Sequence, residues 1–264
     1  MVSTDWLRVF HAPETPAARL VCLPYAGGSA AAFRLMTRDL PPEAAADVEV
    51  VSVQYPGRQD RCGEPPLTTI EALAEAVVRE LAAHASDDLP VVLLGHSMGA
   101  LVAYEAARRR APAALVVSGC RAPSVPRLPR HEPLDDDAIL ALVRRLDGPG
   151  TSALDHPDVL RDALPSLRAD FDAVRTYTHR PTPRLACPVT ALTGTKDPHV
   201  TERDAAAWRE ETTARFTPVS LDGGHFLPHE NPGEYATEVG KALTAALTVR
   251  PATPPPPATT RPWL

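Results

Sequence analysis

Short unbroken apolar runs alternate along this chain with longer stretches whose apolar positions recur every three or four residues. That alternation predicts an α/β architecture, a mostly parallel sheet crossed by helices. The strand candidates are 19–23, 48–53, 90–94, 113–118, 188–192 and 215–221. The run Val91-Val92-Leu93-Leu94 is apolar at every position, as a strand covered on both faces must be. Between the strands, 70–84 places Leu73, Val77 and Leu81 on one helical face. Helices are also predicted from Ser29, a candidate N-cap, to Arg38, and over 98–110 and 234–247.

One interval breaks the rhythm. Nearly seventy residues separate the strands at 113–118 and 188–192, too many for a plain crossover. Helical patterns at 135–146 and 158–179 mark 121–184 as an inserted helical region, either an extra structural layer or a lid. Residues 121–184 carry ten Arg against ten Asp plus Glu, so the insertion is neutral. The expected organisation is one domain over 1–249 followed by a Pro-rich, disordered tail at 250–264.

Composition narrows the classes. The 264 residues are 44% hydrophobic and 23% charged, with a net charge of −6. That balance supports a large core and leaves no electrostatic footprint for nucleic acid. No apolar run reaches the ~18–20 residues of a membrane helix, and the start lacks a secretory pattern, so a cytoplasmic location with no membrane partner is expected. Only Lys196 and Lys241 are lysines and Asn231 is the one Asn, a bias of GC-rich coding and not of function. The cysteines Cys22, Cys62, Cys120 and Cys187 have no metal-ligand spacing, and no disulfide or zinc is expected from them.

Candidate chemistry sits in the loops after the strands. Gly95-His96-Ser97-Met98-Gly99 lies between a strand and a helix, the context in which GxSxG forms a nucleophile elbow instead of a softened turn. A serine hydroxyl needs a base and a group that orients the base. On sheets with such an elbow the partners follow in the order acid, then His. Asp197, after the strand 188–192, is the candidate acid and Asp204 the runner-up. His225, in Gly223-Gly224-His225-Phe226, is the candidate base, with His229 competing. Backbone N–H groups of Met98 and of the 24–28 loop, at Ala26 or Tyr25, are the candidate oxyanion donors. This chemistry requires no metal and no cofactor.

With these residues in view, the chain resembles the type II thioesterases that accompany modular polyketide synthases and nonribosomal peptide synthetases. The matching segments are 23–29 (LPYAGGS), 54–61 (QYPGRQDR), 95–99 (GHSMG), 164–170 (LPSLRAD) and 223–226 (GGHF). The resemblance implies an α/β-hydrolase fold with a helical lid at about 121–184. It also implies hydrolysis of acyl thioesters on the phosphopantetheine arm of acyl or peptidyl carrier proteins, clearing stalled or aberrant groups in antibiotic and other secondary metabolism. The family's catalytic residues fall on Ser97, Asp197 and His225, and its oxyanion donors on Ala26 and Met98. Tyr25, Gly27 and Phe226 are expected to touch substrate. Departures stand at Tyr25, where another aromatic or His is usual, and at Leu227, where a second Phe often follows.

The partner is expected to be a transient carrier protein, with the chain itself a monomer. Arg58 and Arg61 either meet the phosphate of the arm or the acidic carrier, or belong to a local Arg58–Asp60 network that holds a turn; the local network is favoured. A general serine esterase or acyltransferase on the same fold, and a non-catalytic binding module on a hydrolase scaffold, are the rival readings.

Overall fold

The computed structural model describes residues 6–84, 89–125, 134–146 and 148–248. Seven strands form one sheet: β1 (Leu7–His11), β2 (Ala18–Leu23), β3 (Val48–Val53), β4 (Val91–His96), β5 (Ala114–Ser118), β6 (Val189–Gly194) and β7 (Phe216–Leu221). Their spatial order is β1-β3-β2-β4-β5-β6-β7. Only β1 runs antiparallel, against β3; each remaining neighbour pair is parallel. All six expected strands are present, and β1 is the one the pattern missed. It is a five-residue edge strand with one fully buried position, so it carries no unbroken apolar run.

The strands β2, β3 and β5 are buried along their whole length. This follows from the helices on both faces. On one face α1 (Ile70–His84) and α2 (Met98–Arg109) pack Ile70, Leu73, Val77, Leu101 and Tyr104 against Val21, Val51, Leu93 and Val117. On the other, the last helix buries Tyr235, Val239 and Leu243 against Leu20, Val50, Leu94 and Val116. Within the insertion lie α3 (Asp136–Leu146) and α4 (Pro157–Thr176), joined through a short helical turn at Thr151–Asp155; α5 (Pro232–Thr248) closes the described chain.

One expectation needs correction. The helix from Ser29 to Arg38 is broken into a 3-10 turn, Ala30–Phe33, and a single α turn, Met36–Asp39. Ser29 makes no side-chain capping bond; the Ala30 N–H donates instead to Gln54 Oε1 at 2.8 Å. A long-range acceptor thus takes the place of the local cap. The tail at 250–264 lies outside the described residues.

Parallel pairing also sets Arg19 beside Glu49 in register. Their side chains are almost fully buried and bonded to each other, with His84 Nε2 3.5 Å from the Glu49 carboxylate. Cys22 and Cys187 are buried free thiols, and burial raises both thiol pKa values, that of Cys187 to about 11. Among the described residues no helix is long and apolar enough to cross a membrane.

Candidate active site

The parallel strands deliver their carboxyl ends to one edge of the sheet, where loops from β2, β4, β6 and β7 converge. Ser97 occupies the turn between β4 and α2 with φ 52° and ψ −116°, a conformation that costs a non-glycine residue free energy and holds the side chain out of the sheet. The flanking glycines make the turn possible. A Cβ on Gly95 would stand 2.3 Å from the Gly99 carbonyl oxygen, and one on Gly99 would stand 2.0 Å from that of Leu23. The start of α2 is therefore pressed directly under the end of β2.

His225 Nε2 lies 3.2 Å from Ser97 Oγ, and His225 Nδ1 lies 2.8 Å from Asp197 Oδ2. The other carboxylate oxygen, Oδ1, accepts the backbone N–H groups of His199 at 2.8 Å and Val200 at 3.2 Å. Burial pushes the Asp197 pKa up, but the bond to His225, the imidazolium charge and these two N–H groups outweigh it, and the carboxyl sits below its ordinary value. An ionised carboxylate on Nδ1 selects the tautomer whose Nε2 can accept a proton from the serine.

The runners-up do other work. Asp204 closes a helix N-terminus: its carboxylate accepts from the Thr201 N–H at 3.0 Å, and its own N–H donates to Thr201 Oγ1 at 3.1 Å. His229 packs edge-on against Tyr25, with ring centroids 6.4 Å apart.

A residue that the sequence did not point to holds the histidine loop. Glu230 accepts from the N–H of Gly224 at 2.6 Å and of Phe226 at 3.0 Å, the two residues that flank His225. Its only sequence signal is a carboxylate a helical turn beyond the histidine, which is indistinguishable from an ordinary surface Glu.

Tyr25-Ala26-Gly27-Gly28 forms a tight turn closed by a 2.8 Å bond from the Gly28 N–H to the Tyr25 carbonyl. Gly27, at φ 74°, takes the left-handed position that a type II turn requires. Among the described residues no protein oxygen accepts from the N–H of Ala26 or of Met98. The Gly27 N–H differs: it donates to Asp170 Oδ2 at 2.7 Å. The Gly27 N–H is therefore committed within the protein and is not a free donor.

Beside this turn a cavity of about 110 Å³ opens toward the insertion, lined by Tyr25, Ala26, Gly27 and Phe226 and by Leu146, Ala163, Leu167 and Phe171. A larger apolar cavity of about 690 Å³ lies around Pro90, Arg110 and Pro188, at the opposite ends of the strands and away from Ser97. Size does not make it the site: its one nucleophilic group is the Cys187 thiol, which burial keeps protonated, and no histidine or carboxylate lines it to act as a base.

Of the two expectations for the 58–61 arginines, the internal network that holds the turn is the one found, with Gln54 Nε2 bridging the Arg58 carbonyl and Asp60, but Arg58 has a different ion-pair partner. Arg58 is buried and pairs with Asp170 of α4, not with Asp60. Arg61 is equally buried: it donates to the Gln54 carbonyl at 2.7 Å and to Glu64 at 2.7 Å, and lies over the Trp6 ring. Asp60 instead meets Arg8 and accepts from Gln54 Nε2. Guanidinium groups committed to internal partners cannot greet a phosphate or a carrier surface.

The chain is similar over most of its length to known proteins. The Thioesterase domain model matches residues 18–243. The chain is 43% identical over 244 residues to Thioesterase PikA5 of Streptomyces venezuelae, a match covering 90% of this chain and 85% of that protein. It is 42% identical over 243 residues to the probable cadicidin biosynthesis thioesterase of Streptomyces griseus, covering 90% of this chain and 66% of that one. Among solved structures it resembles the type II thioesterase BorB from the borrelidin biosynthetic cluster, with a TM-score of 0.80 and 39% identity over 92% of this chain and 99% of that chain.

Proposed function

The chain belongs to the thioesterase family, and from that premise we propose that it is a type II thioesterase that hydrolyses acyl groups from the phosphopantetheine arm of acyl or peptidyl carrier proteins in polyketide or nonribosomal peptide assembly. The observation that carries the reaction type is the aligned chain of contacts, Ser97 to His225 at 3.2 Å and His225 to Asp197 at 2.8 Å, on a strained elbow.

In this reading His225 takes the Ser97 proton as Oγ attacks the thioester carbonyl. Asp197 holds the imidazole and stabilises its cation, while the Ala26 and Met98 N–H groups receive the oxyanion. The imidazolium returns its proton to the departing pantetheine thiolate. His225 then activates water against the acyl-enzyme, and a free acid leaves. Tyr25, Gly27 and Phe226 wall the space beside the carbonyl, and the 121–184 insertion of an otherwise single domain acts as a lid that sorts acyl groups and excludes water. A cytoplasmic monomer that meets carriers transiently completes the proposal.

The test is release of short acyl groups from a phosphopantetheinylated carrier protein by the wild type and by Ser97→Ala, beside matched oxygen esters. Release by the wild type alone, with carrier thioesters preferred, supports the reading. Fast ester cleavage with idle carriers would favour a general serine esterase or acyltransferase. A chain inert to substrates and to a fluorophosphonate would be a binding module.

A further inference from the structure

Asp170 of α4 stands 143 residues from Gly27 and 112 from Arg58, yet one of its oxygens, Oδ2, takes both partners. The carboxylate is 1% exposed and the guanidinium 5%. Arg58 Nη1 also donates to the Pro56 carbonyl at 2.9 Å, and the guanidinium lies 5.0 Å from the centre of the Tyr55 ring. Among the described residues, Asp170 Oδ1 and Arg58 Nε are buried without a partner.

We propose that Asp170 is a positioning residue for the oxyanion hole, acting through the Gly27 peptide, with Arg58 as the counter-charge that lets it do so. The inference rests on the assignment of Ala26 as an oxyanion donor. A trans peptide points its C=O and N–H in opposite directions. The Tyr25 carbonyl turns inward to the Gly28 N–H, so the Ala26 N–H on the same peptide turns outward. The next peptide, between Ala26 and Gly27, is the one whose orientation separates type I from type II turns. Its N–H is the one that Asp170 holds. With both planes fixed, the torsions of Ala26 between them are fixed too.

Arg58 answers an electrostatic problem that this arrangement creates. A lone buried carboxylate beside the turn would oppose the negative charge developing on the substrate oxygen. Pairing it with a guanidinium cancels that field while leaving Oδ2 as an acceptor. A buried ion pair is a poor device for stability alone, since apolar replacements are often as stable. A specific acceptor at one peptide is something apolar packing does not supply.

Three variants test this, each compared with the wild type in melting temperature and in kcat and KM for a carrier-bound thioester and for a simple oxygen ester. Affinity for an acyl boronic acid, whose adduct with Ser97 is tetrahedral, reports on the oxyanion hole. Asp170→Ala should lower kcat for both substrates by roughly tenfold or more while KM moves by less than about threefold, and boronate affinity should fall with kcat. Asp170→Asn leaves one amide oxygen for which the unpaired Arg58 guanidinium competes with the Gly27 N–H, so the turn loses its acceptor and kcat should also fall. The neutral pair R58Q/D170N keeps the Gly27 acceptor without either charge, and should recover most of what Asp170→Ala loses.

A folded Asp170→Ala with wild-type kcat would overturn the proposal, as would lost kcat with unchanged boronate affinity. If Asp170→Ala does not fold, a folded R58Q/D170N no more active than Asp170→Asn overturns it. Because the ester reports on the same oxyanion hole, a wild type that ignores carriers would refute the substrate assignment and still leave Asp170 tested.

Discussion

His96 and His225 pack ring against ring, with centroids 5.3 Å apart and planes inclined by 51°. His96 is fully buried at the end of β4, and its Nδ1 lies 3.1 Å from Ser118 Oγ. Burial, reinforced by His225 and His229, holds its pKa well below the ordinary imidazole value.

A pH dependence follows from that packing. Below about pH 6.5 the unfolded chain protonates His96 and the folded chain does not, so stability falls as pH falls. Gln in place of His96 keeps a polar side chain without the proton. His96→Gln should therefore flatten the acid slope by up to about 1.4 kcal/mol per pH unit between roughly pH 6 and 5. Urea unfolding across that range measures it, and parallel slopes for the two proteins would refute the assignment of His96 as a neutral buried base.

Asp197→Asn should leave the fold intact and lower kcat by roughly 10³–10⁴-fold. The amide can no longer favour the tautomer in which Nε2 accepts the serine proton. Because the native carboxyl titrates below its ordinary value, its stabilising contribution is present above about pH 4 and is lost only as pH drops through the lower folded value. Single-turnover acylation compared with the wild type gives the decisive number, and a loss under about tenfold would remove Asp197 from the machinery.

Glu230→Ala should loosen the loop that carries His225, since the Gly224 and Phe226 N–H groups lose a common acceptor. We expect kcat to fall by roughly tenfold or more at nearly constant KM. Hydrogen exchange should speed up at residues 224–226 and stay unchanged in β4. Wild-type kinetics with faster exchange would mean that the clamp is structural only.

The buried Arg19–Glu49 pair makes a prediction remote from the site. Arg19→Met alone strands a buried carboxylate and should cost about 3–5 kcal/mol, whereas R19M/E49L should recover most of it. Equilibrium unfolding of both variants separates this from a simple packing loss, because a packing loss would be larger in the double variant.

Much of this molecule is legible before folding. The central strands stand out because a strand covered on both faces is apolar along its run, as 91–94 and 114–117 are, whereas the edge strand Phe216–Leu221 alternates buried and part-exposed positions. The edge strand Leu7–His11 escapes because only one of its positions is fully buried. Ser97, Asp197 and His225 are legible because each follows a strand end in a recognisable turn. Arg58 was misread for a related reason: its neighbour Asp60 looks like its partner in sequence, and nothing local reports that Asp170 arrives from 112 residues away.

Local pattern determined the strands, the elbow and the three candidate catalytic side chains, because each depends on residues adjacent in the chain or on a periodicity within one element. Tertiary structure alone decided which charges meet. Glu230 against the histidine loop, Asp170 on the Gly27 N–H and Arg58 turned inward to Asp170 are long-range or three-dimensional choices. The reason is physical: burial makes an unpaired charge or N–H costly, but which partner satisfies it depends on how the elements pack, and packing is a property of the whole chain.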